Sequence, residues 1–542
     1  MTKTTSWETL ADAKRKAVRS KIPLDWILPN ELLYKYDSTS KESVLDIPAK
    51  FLSPKELDIT ENHTPAELLD SIKASKISSL DAIKAFSHRA AIATQLTNCC
   101  TEIMFEYGIK RAKFLDNYLI ENKKPYGLLH GLPISLKDSF NVPGYDSTIG
   151  YVKRIGNMPK EESDLVKLLL DLGANFYVKT NIPQTLMTAD SENNIFGRTL
   201  NPGCLNKTAG GSSGGEGALI QMRGSILGFG TDIAGSIRIP SLCCGVYGYR
   251  PSAKRIPVGN EEEPSHRDPH ISILPVAGPL STDMESLVMV TKSIIDHKPW
   301  NYGLETFRIP YQDPGVSADS KLRIGFIFED PNLPVHPPLK RILKEAKEKL
   351  SSVGHNVEII DNHPSFDYAW ELAWKLFQVD AKDSSFKDLI ELNEKLIKSL
   401  TLPGIEVYGE GPKDINGVIN LKEEVQIYTF EWLTIFKDYD VIIAPGAPSM
   451  APPHDTYGIA PYTGVWNLVD FPATIIPFGN ANANIDKDDG TVYPEKLKHI
   501  YAHYDPETYD GAIGHVQVVA PHLEDEKLLA CSVIIDKVLN AK

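Results

Sequence analysis

The sequence predicts an α/β fold in which a mixed, mainly parallel central sheet is covered by helices on both faces. Strand and helix patterns alternate over much of the chain, and this alternation is typical of layered architectures with crossover helices. With 42% apolar and 24% charged residues, the composition is that of an ordinary globular protein. The 542 residues are enough to bury a large core.

The first clear helix start lies near residue 64. Thr64 can cap a helix in which Pro65 occupies the first position and Glu67 the third, so that the glutamate reaches back to the cap. A second helix is predicted from Ser78 or Ser79, with apolar residues at helical spacing behind it.

The domain organisation follows from where these patterns begin. Residues 1–60 are broken into short amphipathic pieces by four prolines, which predicts a helical N-terminal extension. Residues 61–542 are predicted to form a single large domain, with a helical insertion around residues 366–436 whose aromatic side chains pack in the core. Further predicted elements are a helix from Ser163 that ends at Gly173, strands at Asn175–Lys179 and Leu322–Phe328, a helix at Lys340–Ser352, and strands at Val357–Ile360 and Val441–Ala444.

The charge balance argues against a nucleic-acid-binding protein. The chain has 57 Lys and Arg residues against 71 Asp and Glu, a formal net charge of −14, whereas binding to phosphates needs a basic surface. The lysine-rich stretch 340–349 contains interleaved glutamates and apolar residues at helical spacing, so it is interpreted as the solvated face of an amphipathic helix. No nucleic-acid partner is predicted.

The cysteines and the N-terminal residues favour the cytoplasm. Six cysteines occur as two adjacent pairs and two single residues, which is the pattern of neither a metal site nor a disulfide framework. The start of the chain lacks the apolar core of a signal peptide, and no stretch approaches the roughly 18 apolar residues that span a bilayer. We therefore expect a cytoplasmic protein with no integral membrane segment.

One segment, Thr208–Ser252, is unusually rich in glycine. Because glycine destabilises regular elements, this density indicates backbone that a ligand approaches closely, or N–H groups that converge on an anion. A nucleotide-binding loop is disfavoured, since the Gly-Lys-Ser/Thr ending and the GxGxxG fingerprint are both missing. A flexible linker is disfavoured because apolar residues follow directly at positions 218–220.

Three motifs, in this order along the chain, resemble those of the amidase signature family. They are Gly131-Leu132-Pro133 followed by Lys137-Asp138, the GGSSGG run Gly210–Gly215, and the GTDIAGSIR run Gly230–Arg238, with further matching text at Lys179–Gln184 and Gly278–Leu280. The resemblance extends from about residue 65 onward. It implies the amidase signature fold and an enzyme that hydrolyses carboxamides.

The resemblance also implies a Ser-Ser-Lys catalytic triad. In it Ser236 is the nucleophile, Ser212 is a bridging serine that follows a cis peptide bond, and Lys137 is the base. A serine hydroxyl is a weak nucleophile until a neighbouring base takes its proton, and a lysine can do so only when it is neutral. The apolar residues around Lys137 would lower its pKa by desolvation. Such a triad needs no metal or organic cofactor, and none is predicted.

The other predicted site residues surround the second serine. The backbone N–H groups of Ile233, Ala234, Gly235 and Ser236 are the expected oxyanion hole, and Ser213 is grouped with the substrate-binding residues. The resemblance implies that Asp232 and Arg238 brace the active-site loops, and an Asp–Arg pair in a buried turn fits a structural role and a substrate-binding role equally well. A metal site at His266, Asp268 and His270 is disfavoured, because neighbouring prolines place these residues in a loop.

Within the family, the chain most resembles the fungal acetamidase-type amidases, including their N-terminal extension. This resemblance implies hydrolysis of small aliphatic amides such as acetamide to a carboxylate and ammonia. Longer or aromatic acyl amides, as in fatty acid amide hydrolases, are an alternative, and so is a catalytically silent family member that acts as a binding scaffold. The predicted partner is a small-molecule amide, and a homodimer is possible on general grounds.

Overall fold

The computed structural model describes residues 6–264, 273–379, 386–401, 405–498 and 504–541. Eleven strands form one mixed sheet against which helices pack, so the predicted α/β fold is confirmed. The strands are β1 (Cys100–Ile103), β2 (Pro133–Lys137), β3 (Asn175–Thr180), β4 (Glu192–Asn193), β5 (Gly197–Arg198), β6 (Leu227–Asp232), β7 (Tyr247–Arg250), β8 (Val276–Ser281), β9 (Arg323–Phe326), β10 (Asn356–Ile359), β11 (Val441–Ala444), β12 (Ala473–Asn480) and β13 (Ile513–Val519).

The large sheet has the strand order β1-β3-β2-β6-β8-β7-β12-β13-β11-β9-β10, and β4 and β5 form a separate two-stranded ribbon. Its pairing corrects the prediction of a mainly parallel sheet. Among the ten neighbouring pairs, four are parallel, within β3-β2-β6 and β11-β9-β10, and six are antiparallel. Strand direction depends on long-range connections, and the local alternation of patterns does not carry that information.

The helices include those that the sequence predicts. They are α1 (Trp7–Arg19), α2 (Asn30–Lys35), α3 (Pro54–Glu61), α4 (Pro65–Lys73), α5 (Ser79–Thr97), α6 (Phe105–Asn122), α7 (Asp164–Asp171), α8 (Gly214–Gln221), α9 (Arg238–Cys244), α10 (Met284–Asp296), α11 (Pro337–Ser352), α12 (Phe366–Phe377), α13 (Lys387–Leu392), α14 (Ile405–Tyr408), α15 (Ile415–Ile435), α16 (Pro461–Leu468), α17 (Pro506–Tyr509) and α18 (Asp525–Leu539).

Local capping signals explain where two of these helices start. At α4 the Thr64 hydroxyl accepts a hydrogen bond from the Glu67 backbone N–H, and the Glu67 carboxylate accepts one from the Thr64 N–H. At α5 the Ser78 hydroxyl accepts from the Asp81 N–H. Both predicted starts are confirmed. The lysine-rich stretch lies on α11, which buries its apolar face as predicted.

Two large hydrophobic clusters form the core. Ala11, Val18 and Ile22 of the N-terminal residues belong to the same cluster as Ile134 and Leu136 of β2, so the predicted extension packs into the core beside the sheet. The division into an extension and a single domain remains a prediction.

The second cluster includes the aromatic residues of the predicted insertion. Phe366, Trp370, Trp432 and Phe436 are all buried in it. Their interpretation as core residues is confirmed.

The parallel part of the sheet brings the motif at the end of β2 and the glycine-rich region to the same edge of the sheet. Strand β2 ends at Lys137, the adjacent parallel strand β6 ends at Asp232, and α8 begins at Gly214, directly after the GGSS loop. Ligands of open α/β sheets bind outside the carboxyl ends of parallel strands. The fold therefore places the candidate catalytic residues where such a sheet offers a crevice.

Candidate active site

Lys137 is the last residue of β2 and is completely buried. Its Nζ is hydrogen-bonded to Ser212 Oγ at 2.6 Å and to Thr231 Oγ1 at 2.7 Å. A buried ammonium group normally requires a paired carboxylate, whereas both of these partners are neutral hydroxyls. The contact with Ser212 places the amine where it can take a proton from that serine.

Burial lowers the pKa of Lys137 to about 7, because removing the amine from water disfavours its charged form. Nearby acidic side chains oppose this effect by attracting positive charge: Glu261, Asp232, Glu216 and Asp138. Desolvation outweighs their attraction, so a substantial fraction of Lys137 is an unprotonated amine near neutral pH. This is the form that a base requires.

The GGSS loop holds Ser212 close to this amine. Gly211 and Ser212 are joined by a cis peptide bond, as the family resemblance implies. A side chain at Gly211 would place its Cβ 2.4 Å from the Thr188 carbonyl oxygen, so the chain must carry a glycine there. Ser191 donates from its hydroxyl to the Gly210 carbonyl at 2.9 Å and fixes the start of the loop.

Ser213 differs from its predicted substrate-binding role. Its side chain has no solvent exposure, and its hydroxyl lies 3.5 Å from the Thr231 carbonyl oxygen, in the interior. Its backbone N–H donates to the Ser236 carbonyl at 3.1 Å. Ser213 therefore connects the two serine-bearing segments through its backbone N–H, which bonds Ser236, while its side chain points into the protein interior.

Ser236 is the more accessible of the two candidate catalytic serines, with 9% exposure against 1% for Ser212. Across the described ranges, no hydrogen bond joins the two hydroxyl groups. The structure thus shows the amine hydrogen-bonded to the first serine, and the second serine slightly more exposed than the first. Catalytic hydrogen bonds are often loose in the absence of substrate and tighten when it binds.

Asp232 and Arg238 form a fully buried ion pair that shapes the turn before Ser236. Asp232 Oδ1 lies 3.0 Å from Arg238 Nη2, and Arg238 Nε donates to Asp232 Oδ2 at 3.1 Å. Asp232 also accepts from the Gly235 N–H at 2.8 Å and from the Ile237 N–H at 3.1 Å. Burial alone would raise the pKa of Asp232. The Arg238 guanidinium and the hydrogen bonds that Asp232 accepts outweigh this effect and hold the pKa well below its usual range. These contacts tie both residues to the backbone of the turn.

This arrangement corrects the predicted oxyanion hole at Gly235. The Gly235 N–H is directed to the Asp232 carboxylate, so it does not lie free for a substrate oxygen. Gly235 contributes its conformation instead: its φ is +125°, and a Cβ there would lie 2.2 Å from Thr463 Oγ1. For Ile233, Ala234 and Ser236, no backbone N–H bond is recorded within the described residues.

Contacts from the C-terminal half of the chain fix the same turn. The Thr463 hydroxyl, on α16, donates to the Ala234 carbonyl at 2.7 Å. Arg238 donates to the Thr463 carbonyl and to the side-chain oxygens of Gln517 and Asn467. The peptide that carries Ala234 is thereby oriented by a helix more than 200 residues away in the sequence. This preorganisation is what an oxyanion-binding turn needs.

Sequence reasoning missed Thr231 and Glu216. Thr231 shares the Lys137 amine with Ser212, and its place within the GTD motif, one residue before Asp232, was the available signal. Glu216 directly follows the GGSSGG run and is completely buried. Its position in the first turn of a glycine-rich helix gave no signal of that burial.

Two other predictions concern metals and membranes. The residues His266, Asp268 and His270 lie outside the described residues. In the described ranges, no group of three or more His, Cys, Asp and Glu side chains is arranged to hold a metal ion. None of the helices described is both long enough and apolar enough to cross a bilayer.

A mixed α/β sheet with a GGSSGG loop, a buried lysine at a strand end and a GTDxxGS turn is the arrangement of the amidase signature class of hydrolases. The family model described as "Amidase" matches residues 81–529. The chain therefore belongs to the amidase family, and it is an amide hydrolase.

Relatives of similar length support this assignment. An "Amidase" of Gibberella moniliformis is 36% identical over 99% of both chains, and an "Acetamidase" of Emericella nidulans is 35% identical over 98% of both. Among solved structures, a "Fatty acid amide hydrolase" superposes with a TM-score of 0.90 at 32% identity, covering 99% of this chain and 95% of that one. A bacterial aryl acylamidase, with a TM-score of 0.71 at 18% identity, covering 88% of this chain and 96% of that one, shares the fold.

Proposed function

We propose that this amidase hydrolyses small aliphatic carboxamides, such as acetamide, through an acyl-enzyme on Ser236. The observation that carries the mechanism is the 2.6 Å contact between the buried Lys137 amine and Ser212 Oγ. It supplies a neutral base and a hydroxyl relay at the end of a strand, next to the turn that bears Ser236. A catalytically silent scaffold would have no need for an amine held in this form.

In the first half of the reaction, the Ser236 hydroxyl gives its proton to Ser212, and Ser212 gives its own to Lys137. The Ser236 oxygen then attacks the carbonyl carbon of the amide, and the carbonyl oxygen becomes an oxyanion. The backbone N–H groups of Ile233, Ala234 and Ser236 are the candidate donors to that oxyanion, and one such donor typically contributes about 3 kcal/mol.

In the second half, the proton held by Lys137 returns through Ser212 to the leaving nitrogen. The C–N bond breaks, ammonia departs, and an ester remains on Ser236. Water enters, gives one proton to the same relay and attacks the ester carbonyl. The relay returns that proton to Ser236, and the carboxylic acid leaves and ionises in water. The relay is thus base in one direction and acid in the other.

The substrate proposal rests on the relatives. Two of the relatives at 34–36% identity over nearly the full length are named acetamidases. The likeness to a fatty acid amide hydrolase, at 32% identity, favours a second candidate, a longer acyl chain.

A substrate panel separates these candidates. We expect ammonia release from acetamide with a higher kcat/KM than from benzamide, oleamide or glutamine, measured on purified protein at pH 8. The Ser236→Ala protein, assayed in parallel, provides the background. A higher kcat/KM with oleamide would replace the small-amide proposal by the long-chain one, and no ammonia from any of the four would favour the scaffold.

The pH dependence follows from the pKa of Lys137. Because this pKa lies at about 7 and the neutral amine is the reactive form, kcat/KM is expected to rise with pH through 7 and to level off above it. One unit below the midpoint, activity falls by about tenfold for each further unit. The measurement is kcat/KM for acetamide between pH 5 and 9. A profile that is flat across pH 6 to 8 would remove Lys137 from the role of base.

A further inference from the structure

Glu216 is a buried acid that the proposed reaction does not use. It lies on α8, three residues after Ser213, and its carboxyl group reaches the two strands beside Lys137. Glu216 Oε2 lies 2.5 Å from Ser135 Oγ on β2, and Oε1 lies 2.8 Å from Thr180 Oγ1 on β3. Thr180 is the register partner of Lys137 across the β2–β3 pair.

The space for this carboxyl group is built into the sheet. At Gly228 of β6, a Cβ would lie 2.0 Å from Glu216 Oε2 and 2.3 Å from Ser135 Oγ. Any other residue at this position would displace the acid. The carboxyl group therefore occupies a site shaped for it by three neighbouring strands.

The hydroxyl groups around Glu216 have too few protons for the contacts they make. Ser135 Oγ lies 2.5 Å from Glu216 Oε2 and 2.9 Å from Ser225 Oγ, and Ser225 Oγ lies 2.9 Å from the Leu227 carbonyl oxygen. A hydroxyl has one proton and a carbonyl has none. These three oxygen–oxygen contacts need three protons, and the two serines supply two.

The missing proton belongs to the carboxyl group. Ser225 donates to Leu227, Ser135 donates to Ser225, and Glu216 Oε2 then donates to Ser135. The Thr180 hydroxyl donates to the other carboxyl oxygen, Oε1. Each of the three contacts along the Leu227–Ser225–Ser135–Glu216 chain is satisfied by one proton when Glu216 is a neutral carboxylic acid, and one of them is left as a repulsion between oxygens when it is a carboxylate.

The rest of the environment agrees with a neutral acid. In the described part of the chain, Glu216 has no ion pair and no bond from a backbone N–H, the two kinds of partner that a buried carboxylate needs. Burial raises the pKa of Glu216 to about 7, although the hydroxyl bonds and Lys137 favour the charged form.

We propose that Glu216 is a positioning residue whose side chain is a protonated carboxylic acid, which joins β2 to β3 and keeps an anion from forming beneath Lys137. A carboxylate at this place would attract a proton to Lys137 and hold it as an ammonium ion. The neutral acid holds the same strands without that effect. This role rests on the proposed function of Lys137 as the base.

Other titratable groups face this pair. Towards Glu216 these are Lys137, Tyr177 and the thiol of Cys100, and towards Lys137 they are also Asp138, Asp232 and Glu261. Burial raises the pKa of Tyr177 and, with the adjoining Cys99 thiol, that of Cys100, so both stay neutral. The acids that remain near Lys137 are unchanged by a substitution at Glu216.

Glu216→Gln is the discriminating variant, because an amide matches a carboxylic acid with one donating and one accepting end. We expect its kcat/KM at pH 8 to stay within about threefold of the wild type. The acid limb of its pH profile, which is the rise of kcat/KM with pH near 7, is expected to keep its midpoint within about half a pH unit of the wild-type midpoint. Removing a carboxylate would instead lower the pKa of Lys137 and move the limb down by about 1 unit or more. Glu216→Met, which has similar length and no polar end, is expected to lose activity and thermal stability, because it leaves Ser135 and Thr180 without their partner.

Infrared difference spectra test the protonation state without using activity. At pH 6, the wild-type minus Glu216→Gln spectrum is expected to contain the C=O stretching band of a protonated carboxylic acid. If the glutamine variant does not fold, the wild-type minus Ser135→Ala spectrum replaces it, since loss of the acceptor shifts that band. A carboxylate band in its place, or a limb shift of a full unit, overturns the proposal.

The two readouts separate this proposal from the proposed function. A protonated-acid band together with a pH profile that has no limb near 7 in any variant would uphold the state of Glu216 and reject Lys137 as the base. A carboxylate band together with the expected acid limb in the wild type would reject the protonated state of Glu216 and uphold Lys137 as the base.

Discussion

Ser236→Ala is expected to lower kcat for acetamide by about four to six orders of magnitude, the loss seen when a serine nucleophile is removed from a triad. Alanine removes the oxygen that forms the ester, and the remaining groups can only bind and polarise the amide. The fold should persist, because the Ser236 side chain makes no recorded hydrogen bond in the described ranges and its backbone contact to Ser213 is retained. Ammonia release measures the rate, and mass spectrometry after trapping with an acylating inhibitor measures the covalent step.

Ser241→Ala is the matched control for this variant. Ser241 lies on α9, is completely buried and donates its hydroxyl to the Ile237 carbonyl at 2.8 Å. We expect it to keep the wild-type rate within about threefold, since a neutral hydroxyl bond within a helix contributes only about 1 kcal/mol to stability. An acyl-enzyme that still formed on Ser236→Ala protein would assign the nucleophile to another residue.

Lys137→Met is the second large effect. Methionine keeps the length of the side chain and removes the amine, so Ser212 loses the acceptor for its proton. General-base contributions are typically about 10²- to 10⁴-fold, and we expect a loss in kcat of that size at pH 7 to 8. The acid limb near pH 7 should disappear from the profile, because the group that titrates there is gone.

Lys179→Met provides the control for burying methionine in place of a lysine. Lys179 lies on the neighbouring strand β3, is also completely buried, and burial lowers its pKa, but it donates to the Asp146 carbonyl and to the Ser147 hydroxyl. This variant is expected to lose stability and to keep the limb near pH 7 in its folded fraction. If Lys137→Met retained wild-type turnover, the base would have to be sought elsewhere.

The candidate site shows which parts of an active site a sequence can reveal. The motifs around Lys137, Ser212 and Ser236 are local runs of residues, and their resemblance to a known family predicted all three as catalytic residues before any distance was known. The roles of Gly235 and Ser213 depend on where an N–H or a hydroxyl points, and there the structure differed. Thr231 was visible in the GTD motif, but its bond to Lys137 was not.

Glu216 illustrates the limit more sharply. In the sequence it is an acidic residue early in a helix, where a carboxylate would be favoured by the helix dipole. Its protonation is decided by Ser135, Thr180 and Ser225, which lie on or beside other strands. No spacing within the chain reports how many protons those hydroxyl groups can share.

The sequence by itself determined the α/β class of fold and the helix starts at Thr64 and Ser78, and it predicted the residues of the candidate site, because each of these depends on neighbours a few positions away. The tertiary structure decided that six of ten strand pairs are antiparallel, that Asp232 takes the Gly235 N–H, and that Lys137 meets hydroxyls without a carboxylate. The strand directions and the Lys137 contacts depend on segments tens of residues or more apart, and the Asp232 bond depends on the conformation of its turn, so these hydrogen bonds and the desolvation of their groups exist only once the chain has folded.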